Sequence, residues 1–360
     1  MTGTPHHYPP PGAPPPEEPS RPATPPAPAP AAPVAGPPVL GMLGAAHKPG
    51  AIPLRPLGLG NIYDGAFRII RFNPKATVGS AVLVTAVAMI IPIVVSVVIA
   101  FTVGTGISSD GQASEDLSTA EALGLLGSFG SLFLGIYAAQ LGIVFVVGMV
   151  SHVTRAAAVG WRLSLAEAWA ATYGKRWRLL GQALLVGLVS TVAIVAVVLL
   201  VVLVAVLTGD VLITVLVGLV ATFGAIPLFA WLWIRVVYLA TPALMLEPIG
   251  VFGSFGRTWR LTAGQFWRTL GIGLLTLLIV QVAGGILTTP VTIAGQLLAV
   301  VLPEYSVLVL VLAQAIALII QNAFVAPFTA AVTSLQYLDQ RMRKEAYDVE
   351  LMQQAGITRW

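Results

Sequence analysis

The chain's stock of groups that do acid–base or metal chemistry is small. In 360 residues it has four histidines, 15 acidic residues and no cysteine. The missing thiols exclude a disulfide framework, a thiolate nucleophile and a cysteine-held metal. His6, His7 and His47 lie in a proline-rich segment, and His152 stands alone at the end of an apolar run. His6-His7 has no companion ligands, so a solvated pair is the better reading than a metal site. No GxSxG, P-loop or HExxH pattern occurs. Glu247 is the one acid among the arginines of 237–268. Catalysis would need a second acid or a base beside it, and the segment supplies neither. Glu247 therefore reads as an ion-pair partner for Arg257 or Arg260. No catalytic, cofactor-binding or metal-ligating residue is nominated.

Polar residues inside apolar runs are the next candidates. These are Gln140, Gln281, Gln314, Gln321 and Asn322. They either line a substrate path or hydrogen-bond between helices. Gly127, Ser131 and Gly135 form a small-xxx-small stripe, suited to close helix contact within a bundle or between protomers. The stretch "RTWRLTAGQFWRTLG" (257–271) packs three arginines and two tryptophans into fifteen positions. Each of these side chains joins an apolar body to a polar tip, which suits a lipid headgroup layer. The cluster reads as an interface anchor. A phosphate or anionic-lipid site is the sharper alternative.

The elements that must position these groups follow from composition. The chain is 57% hydrophobic and only 9% charged, with a mean hydropathy of +0.88. A soluble domain carries about 25% charged residues. Lipid must therefore be much of the solvent. Six apolar segments, near 77–103, 123–150, 180–207, 211–236, 269–293 and 305–332, are each long enough to cross the hydrocarbon as a helix. Pro92, Pro227, Pro290 and Pro327 fall in or near them and should kink helices rather than end them. None of the 19 Lys and Arg lies in the loops 104–122, 208–210 or 294–304, while 104–122 holds four acids. Positive charge stays inside, so both termini are expected in the cytoplasm and the protein in the cell membrane.

Three segments share one pattern: "FRIIRFNPKATVG" (67–79), "WAATYGKRWRLLG" (169–181) and "WRLTAGQFWRTLG" (259–271). Each opens on an aromatic (Phe67, Trp169, Trp259) and closes on a glycine (Gly79, Gly181, Gly271). Each carries a cation shortly before that glycine: Lys75, Arg178 or Arg268. Trp177 and Trp267 recur in the second and third. Short amphipathic helices should precede the spans, apolar face down in the headgroup layer. Ile62, Ala66, Phe67 and Ile70 mark that face in the first; Phe252, Phe255 and Trp259 mark it in the third. Ser164 and Glu167 form a capping box for the second. The fold expected is all-α integral membrane: six transmembrane helices as three repeated units, each an interfacial helix plus a hairpin.

The flanks differ in kind. Residues 1–57 hold 19 of the 27 prolines and read as a disordered cytoplasmic tail, either a tether or a ligand for a proline-binding partner. It lacks the marks of a signal peptide. Residues 58–334 form the membrane domain. Residues 335–360 read as a cytoplasmic amphipathic helix and tail. Leu335, Leu338, Met342, Val349 and Met352 make its stripe, and Asp339–Arg343, Arg341–Glu345 and Lys344–Asp348 are its i,i+4 pairs. It packs on the bundle or docks a partner protein.

Three stretches carry a family resemblance: "PLRPLGLGNIYDGAFRIIRFNPKATVG" (53–79), "YLATPALMLEPIGVFGSFGRTWRLTAGQFWRTLGIGLL" (238–275) and "VAPFTAAVTSLQYLDQRMRKEAYDVELMQQA" (325–355). Residues 53–355 resemble an actinobacterial family of multi-pass proteins labelled as glycerophosphoryl diester phosphodiesterase membrane domain-containing. Elsewhere that membrane module is fused to a catalytic barrel. No segment here has the length or pattern of such a barrel. The resemblance implies a membrane family without a defined biochemical role, and it brings no active residues. The function expected is a non-catalytic membrane protein that organises lipids, anionic lipid at the Arg/Trp clusters among them, or partner proteins. The alternative is a transporter or lipid permease. A membrane-embedded enzyme ranks last. No cofactor and no nucleic acid are expected.

Overall fold

A computed structural model of the chain describes residues 49–102 and 119–356. In lipid a backbone must satisfy its own N–H and C=O groups, so long apolar runs fold as helices. Regular structure among the described residues is entirely helical. In order they are α1 (Leu59–Phe72), α2 (Pro74–Thr102), α3 (Thr119–Ala158), α4 (Leu165–Ala171), α5 (Arg176–Thr208) and α6 (Val211–Leu232). A π-helical turn, Trp233–Val237, leads into α7 (Ala240–Leu246) and α8 (Val251–Thr262). Then come α9 (Phe266–Val301), a 3₁₀ turn at Pro303–Tyr305, α10 (Ser306–Glu345) and α11 (Tyr347–Gln354). Six of the helices are long and apolar enough to cross a membrane, by length and composition. They are the ones expected from hydropathy. Pro92, Pro227, Pro290 and Pro327 all lie inside unbroken helices.

α10 is the central element, packed by α9, α2, α3 and α1. Its half from Ala326 to Met342 is almost wholly buried, with Phe328, Leu335, Tyr337 and Leu338 fully so. α2 and α3 pair closely because α3 offers glycines. A Cβ built on Gly135 would lie 2.2 Å from the Pro92 ring, and one on Gly142 would lie 2.2 Å from Val84. Gly135 of the small-residue stripe thus packs within the bundle. Ser131's side chain lies outside the described residues. Gly135→Ala should cost about 1–3 kcal/mol, because a proline ring cannot swing away. Thermal melting in detergent checks this, and an unchanged melt would refute the close seam.

The α5–α6 hairpin is built differently. Gly209, at φ 61, ends α5, and Asp210 caps α6 by accepting from the Leu212 and Ile213 amides at 2.7 and 3.2 Å. α6 buries no residue, and α5 buries only Leu179 and Gln182. The rest of the hairpin exposes valine, leucine and isoleucine.

Four expectations need correction. Residues 49–57 were expected in the tail on proline content. Instead Ile52, Leu54 and Leu57 are buried in the core. Ala51 N–H donates to Ala157 O at 2.8 Å, and a Cβ on Gly50 would meet that same oxygen, so glycine is required there. The remainder of the tail, 1–48, lies outside the described residues. Second, no break falls at 334/335: α10 runs through to Glu345, and Leu335, Leu338 and Met342 point into the core. Those three positions pack on the bundle, the first of the two readings given for the stripe. Third, the helix stops at Ala346, whose φ of 51 is left-handed. The break resets the helical phase, so Tyr347 and Leu351 turn inward while Val349 is exposed. It also parts Lys344 from Asp348; Lys344 instead donates to the carbonyls of Arg260 and Ala263. Fourth, part of the apolar face of α1 meets protein. Ile62 and Ala66 are buried, Ile70 is half-buried, and Phe67 packs on Phe328 with centroids 5.0 Å apart yet stays 46% exposed.

Candidate functional site

Charges are gathered at one end of the bundle, in two clusters. Asp339 of α10 is fully buried. It accepts from the Leu57 amide at 2.7 Å, from Arg343 at 2.9 Å and from Arg268 of α9. Arg268 and Arg343 also donate to the Leu57 carbonyl at 2.6 and 2.8 Å. One carboxylate and two guanidiniums thereby hold both backbone groups of Leu57. Charge-assisted bonds of this kind are about twice as strong as neutral ones.

The second cluster centres on Glu247, at the end of α7. Its Oε1 accepts from the Tyr337 hydroxyl and from Arg257 Nε at 2.8 Å. Arg257 also reaches Glu345, which Arg341 pairs at 3.0 Å. Arg341 lies 3.7 Å over the Tyr347 ring. Lys175 Nζ donates to the carbonyls of Leu244, Met245 and Glu247 at 2.9, 2.9 and 2.6 Å, closing the C-terminal end of α7. Burial, and then Arg178 nearby, pull the Lys175 pKa below its ordinary value. The expected Glu247–Arg257 pair is formed. Arg260 takes no part in it among the described contacts.

The three cations of the repeated pattern have different duties. Lys75 and Arg178 are exposed, while Arg268 is committed to Asp339. Trp177 and Trp267 are 84% and 79% exposed, so the aromatic belt faces outward. α8 is oriented the same way: Ser254, Thr258 and Leu261 face the protein and Phe252 and Trp259 face out. Arg235 stacks over Trp259 at 4.2 Å. In α4 the capping box is complete, with Ser164 N–H donating to Glu167 at 2.7 Å and Glu167 N–H donating to Ser164 Oγ at 3.2 Å. The first of these bonds holds the Glu167 carboxyl below the ordinary glutamate range.

Next to these clusters a cleft separates the α5–α6 hairpin from the wall made by α3, α9 and α10. It has two crevices. One, of about 660 Å³, is lined by α6, α9 and α10, with Gly273, Thr276 and Gln281 on its wall. The other, of about 420 Å³, is lined by α3, α5 and α10, with Gln182, Ser190, Thr241 and Thr333 on its wall. Trp233, Tyr238 and Thr329 line both. Trp233 and Tyr238 bracket the π-helical turn, where Tyr238 N–H donates to Trp233 O at 2.8 Å. Such turns occur often at functional sites. A third groove, of about 720 Å³ between α2, α3 and α4, has only Ser80 as a polar side chain besides the Trp169 indole. Volumes of roughly 300–1,000 Å³ are those of small-molecule sites.

The polar residues singled out by sequence scatter. Gln281 lines the larger crevice. Gln321 packs on α9, where its Nε2 would lie 3.1 Å from a Cβ on Gly284. Asn322 is buried and Gln314 half-buried, and neither lines the cleft. The Gln140 side chain lies outside the described residues. His152 is half-buried, and its Nε2 has no partner. Among the described residues no group of three acids or histidines could hold a metal. Sequence reasoning missed Gln182, Tyr238 and Thr329. Gln182 sits only one turn inside its span, and threonine is too common in apolar helices to stand out. No family model, curated protein or solved structure matches the chain.

Proposed function

We propose that this chain is a non-catalytic integral protein of the cell membrane, both termini cytoplasmic, that organises lipid. One observation carries the reading: a cleft between an apolar hairpin and a helical wall, beside a layer of arginine and tryptophan. The cleft has the volume for an amphiphile's chains. The outward tryptophans suit the headgroup layer. The order of elements supports three same-sense units: α1 leads into α2–α3, α4 into α5–α6 and α8 into α9–α10. Such repeats share an axis along the membrane normal. The membrane family that residues 53–355 resemble fits this reading. A permease is the second reading, favoured by Gln281 on a crevice wall. Partner proteins would be taken by the proline-rich segment, since the α10 stripe is already filled.

Native mass spectrometry of protein extracted gently with its lipids tests the proposal. A stoichiometric lipid that survives detergent exchange is the expected result. Protein that flies bare, or carries only a protein partner, would defeat the lipid reading. Arg178→Ala is the substitution to pair with it, because Arg178 is exposed. Arg268→Ala would report on folding instead.

A further inference from the structure

We infer that two copies of this chain pair side by side in the membrane through one face of α9. That face carries Gln281, Gly285, Thr289, Thr292 and Gln296. At 3.6 residues per turn these five fall within an arc of about 80°, along about 22 Å of helix. Gln281, Gly285, Thr289 and Gln296 are exposed, and Thr292 is half-buried. No other side-chain amide is exposed among the described residues of the six long apolar helices. Gln281 lies about 20 Å along α9 from Arg268, the helix's one charged residue. It is therefore well past the layer of arginine and tryptophan. The threonine hydroxyls turn back to their own helix: Thr289 Oγ1 donates to Gly285 O at 2.6 Å and Thr292 Oγ1 to Thr289 O at 3.0 Å. The two glutamine amides have no such outlet, and neither makes a hydrogen bond among the described residues. Acyl chains offer them nothing, and polar groups at such depth are met by protein or by a wet cavity.

The glycines of α9 divide in the same way. Gly284 and Gly295 face α10, where an added Cβ would press on Gln321 and collide with Ala313. A Cβ on Gly285 would meet nothing within 4 Å. Its own chain gives no packing reason for a glycine there, and mid-helix glycine is destabilising relative to alanine. A second helix crossing at Gly285 supplies the reason, because small residues let two backbones approach. The occupant that fits is another copy. Two copies inserted with one topology meet α9 to α9, parallel and at equal depth. A two-fold axis along the membrane normal then sets each residue of the stripe against its own equivalent. An amide both donates and accepts, so each glutamine can pair with itself across that axis. A foreign helix would have to bring matching groups at both depths; a second copy brings them by symmetry. Polar residues placed in such a seam fix its register. The pairing goes beyond the lipid-organising reading and does not depend on it.

The chain has no cysteine, so single cysteines can be introduced into the full-length protein without removing any. Membranes holding Gly285→Cys or Gln296→Cys are oxidised with copper phenanthroline. Ile286→Cys, Leu297→Cys and Val206→Cys, at positions exposed off the stripe, are treated alongside. A disulfide needs the two Cα atoms within about 7 Å, so dimers should form at 285 and 296, with roughly fivefold less at the other three positions. Subunit counting by photobleaching in phosphatidylcholine vesicles, over a series of lipid dilutions, gives a second measure. Two copies per particle are expected at low dilution. Gln281→Leu with Gln296→Leu should weaken pairing roughly tenfold. Its melting temperature in detergent should stay unchanged, since neither amide is bonded within the chain. Equal crosslinking at all five positions, or single copies at every dilution, overturns the pairing. So does linkage at 285 to a different protein, which would give this face to a foreign helix. Undiminished pairing of the double variant overturns the role of the glutamines.

Discussion

Asp339→Ala should destabilise the protein by about 3–5 kcal/mol, the cost of breaking a buried ion pair on one side. The carboxylate is fully buried and is the common partner of Arg268, Arg343 and the Leu57 amide. Its loss leaves two guanidiniums facing each other across the Leu57 carbonyl. Thermal melting in detergent reads the loss. Hydrogen exchange at the Leu57 amide should rise with it, since that N–H loses its acceptor. Arg343→Ala should cost less, because Arg268 still holds both Asp339 and Leu57. A drop of under about 1 kcal/mol for Asp339→Ala is what an exposed pair gives. That result would mean water reaches the cluster and the clamp does not hold the fold.

Glu247→Ala should cost about 2–3 kcal/mol, and its effect should be local first. Glu247 joins the end of α7 to Arg257 of α8 and to Tyr337 of α10. Its removal leaves the Tyr337 hydroxyl buried without an acceptor, at a cost of about 1–3 kcal/mol. Amide exchange in α8 should quicken while α9 and α10 stay protected. Glu247→Gln should recover part of the loss, keeping an acceptor for the tyrosine. A double-mutant cycle with Arg257→Ala should show coupling of about 1–3 kcal/mol. Additive single effects, or a loss no larger than that of the exposed Glu350→Ala, would place Glu247 outside the framework.

Much of the architecture is legible in the sequence because the solvent leaves few choices. Six apolar runs without internal acids can only be helices where water is absent. The Ser164–Glu167 box is local, so spacing alone reveals it. Asp339 shows where local reading fails. Asp339–Arg343 and Arg341–Glu345 are i,i+4 pairs, and that spacing looks the same on a solvated helix as on a buried one. What buries Asp339 lies far away in the chain, at Leu57 and Arg268. Proline content misleads at 49–57 for the same reason: the residues between the prolines, Ile52, Leu54 and Leu57, are buried in a core cluster whose other members lie far along the chain. The cleft is the least legible part. It is set by the stand-off between a hairpin and a wall, and no residue pattern encodes a gap.

The Leu57–Asp339 bond also has a consequence for biogenesis. Its two partners are 282 residues apart. A ribosome adding roughly 5–20 residues per second needs roughly a quarter of a minute to a minute to make that stretch. Until then Ile52, Leu54 and Leu57 have no α10 to rest on, and Arg268 has no counter-charge. Helix α10 is thus made late and secures the stretch ahead of α1, and truncation before residue 339 should leave Leu57 without its clamp while the α2–α3 seam still forms.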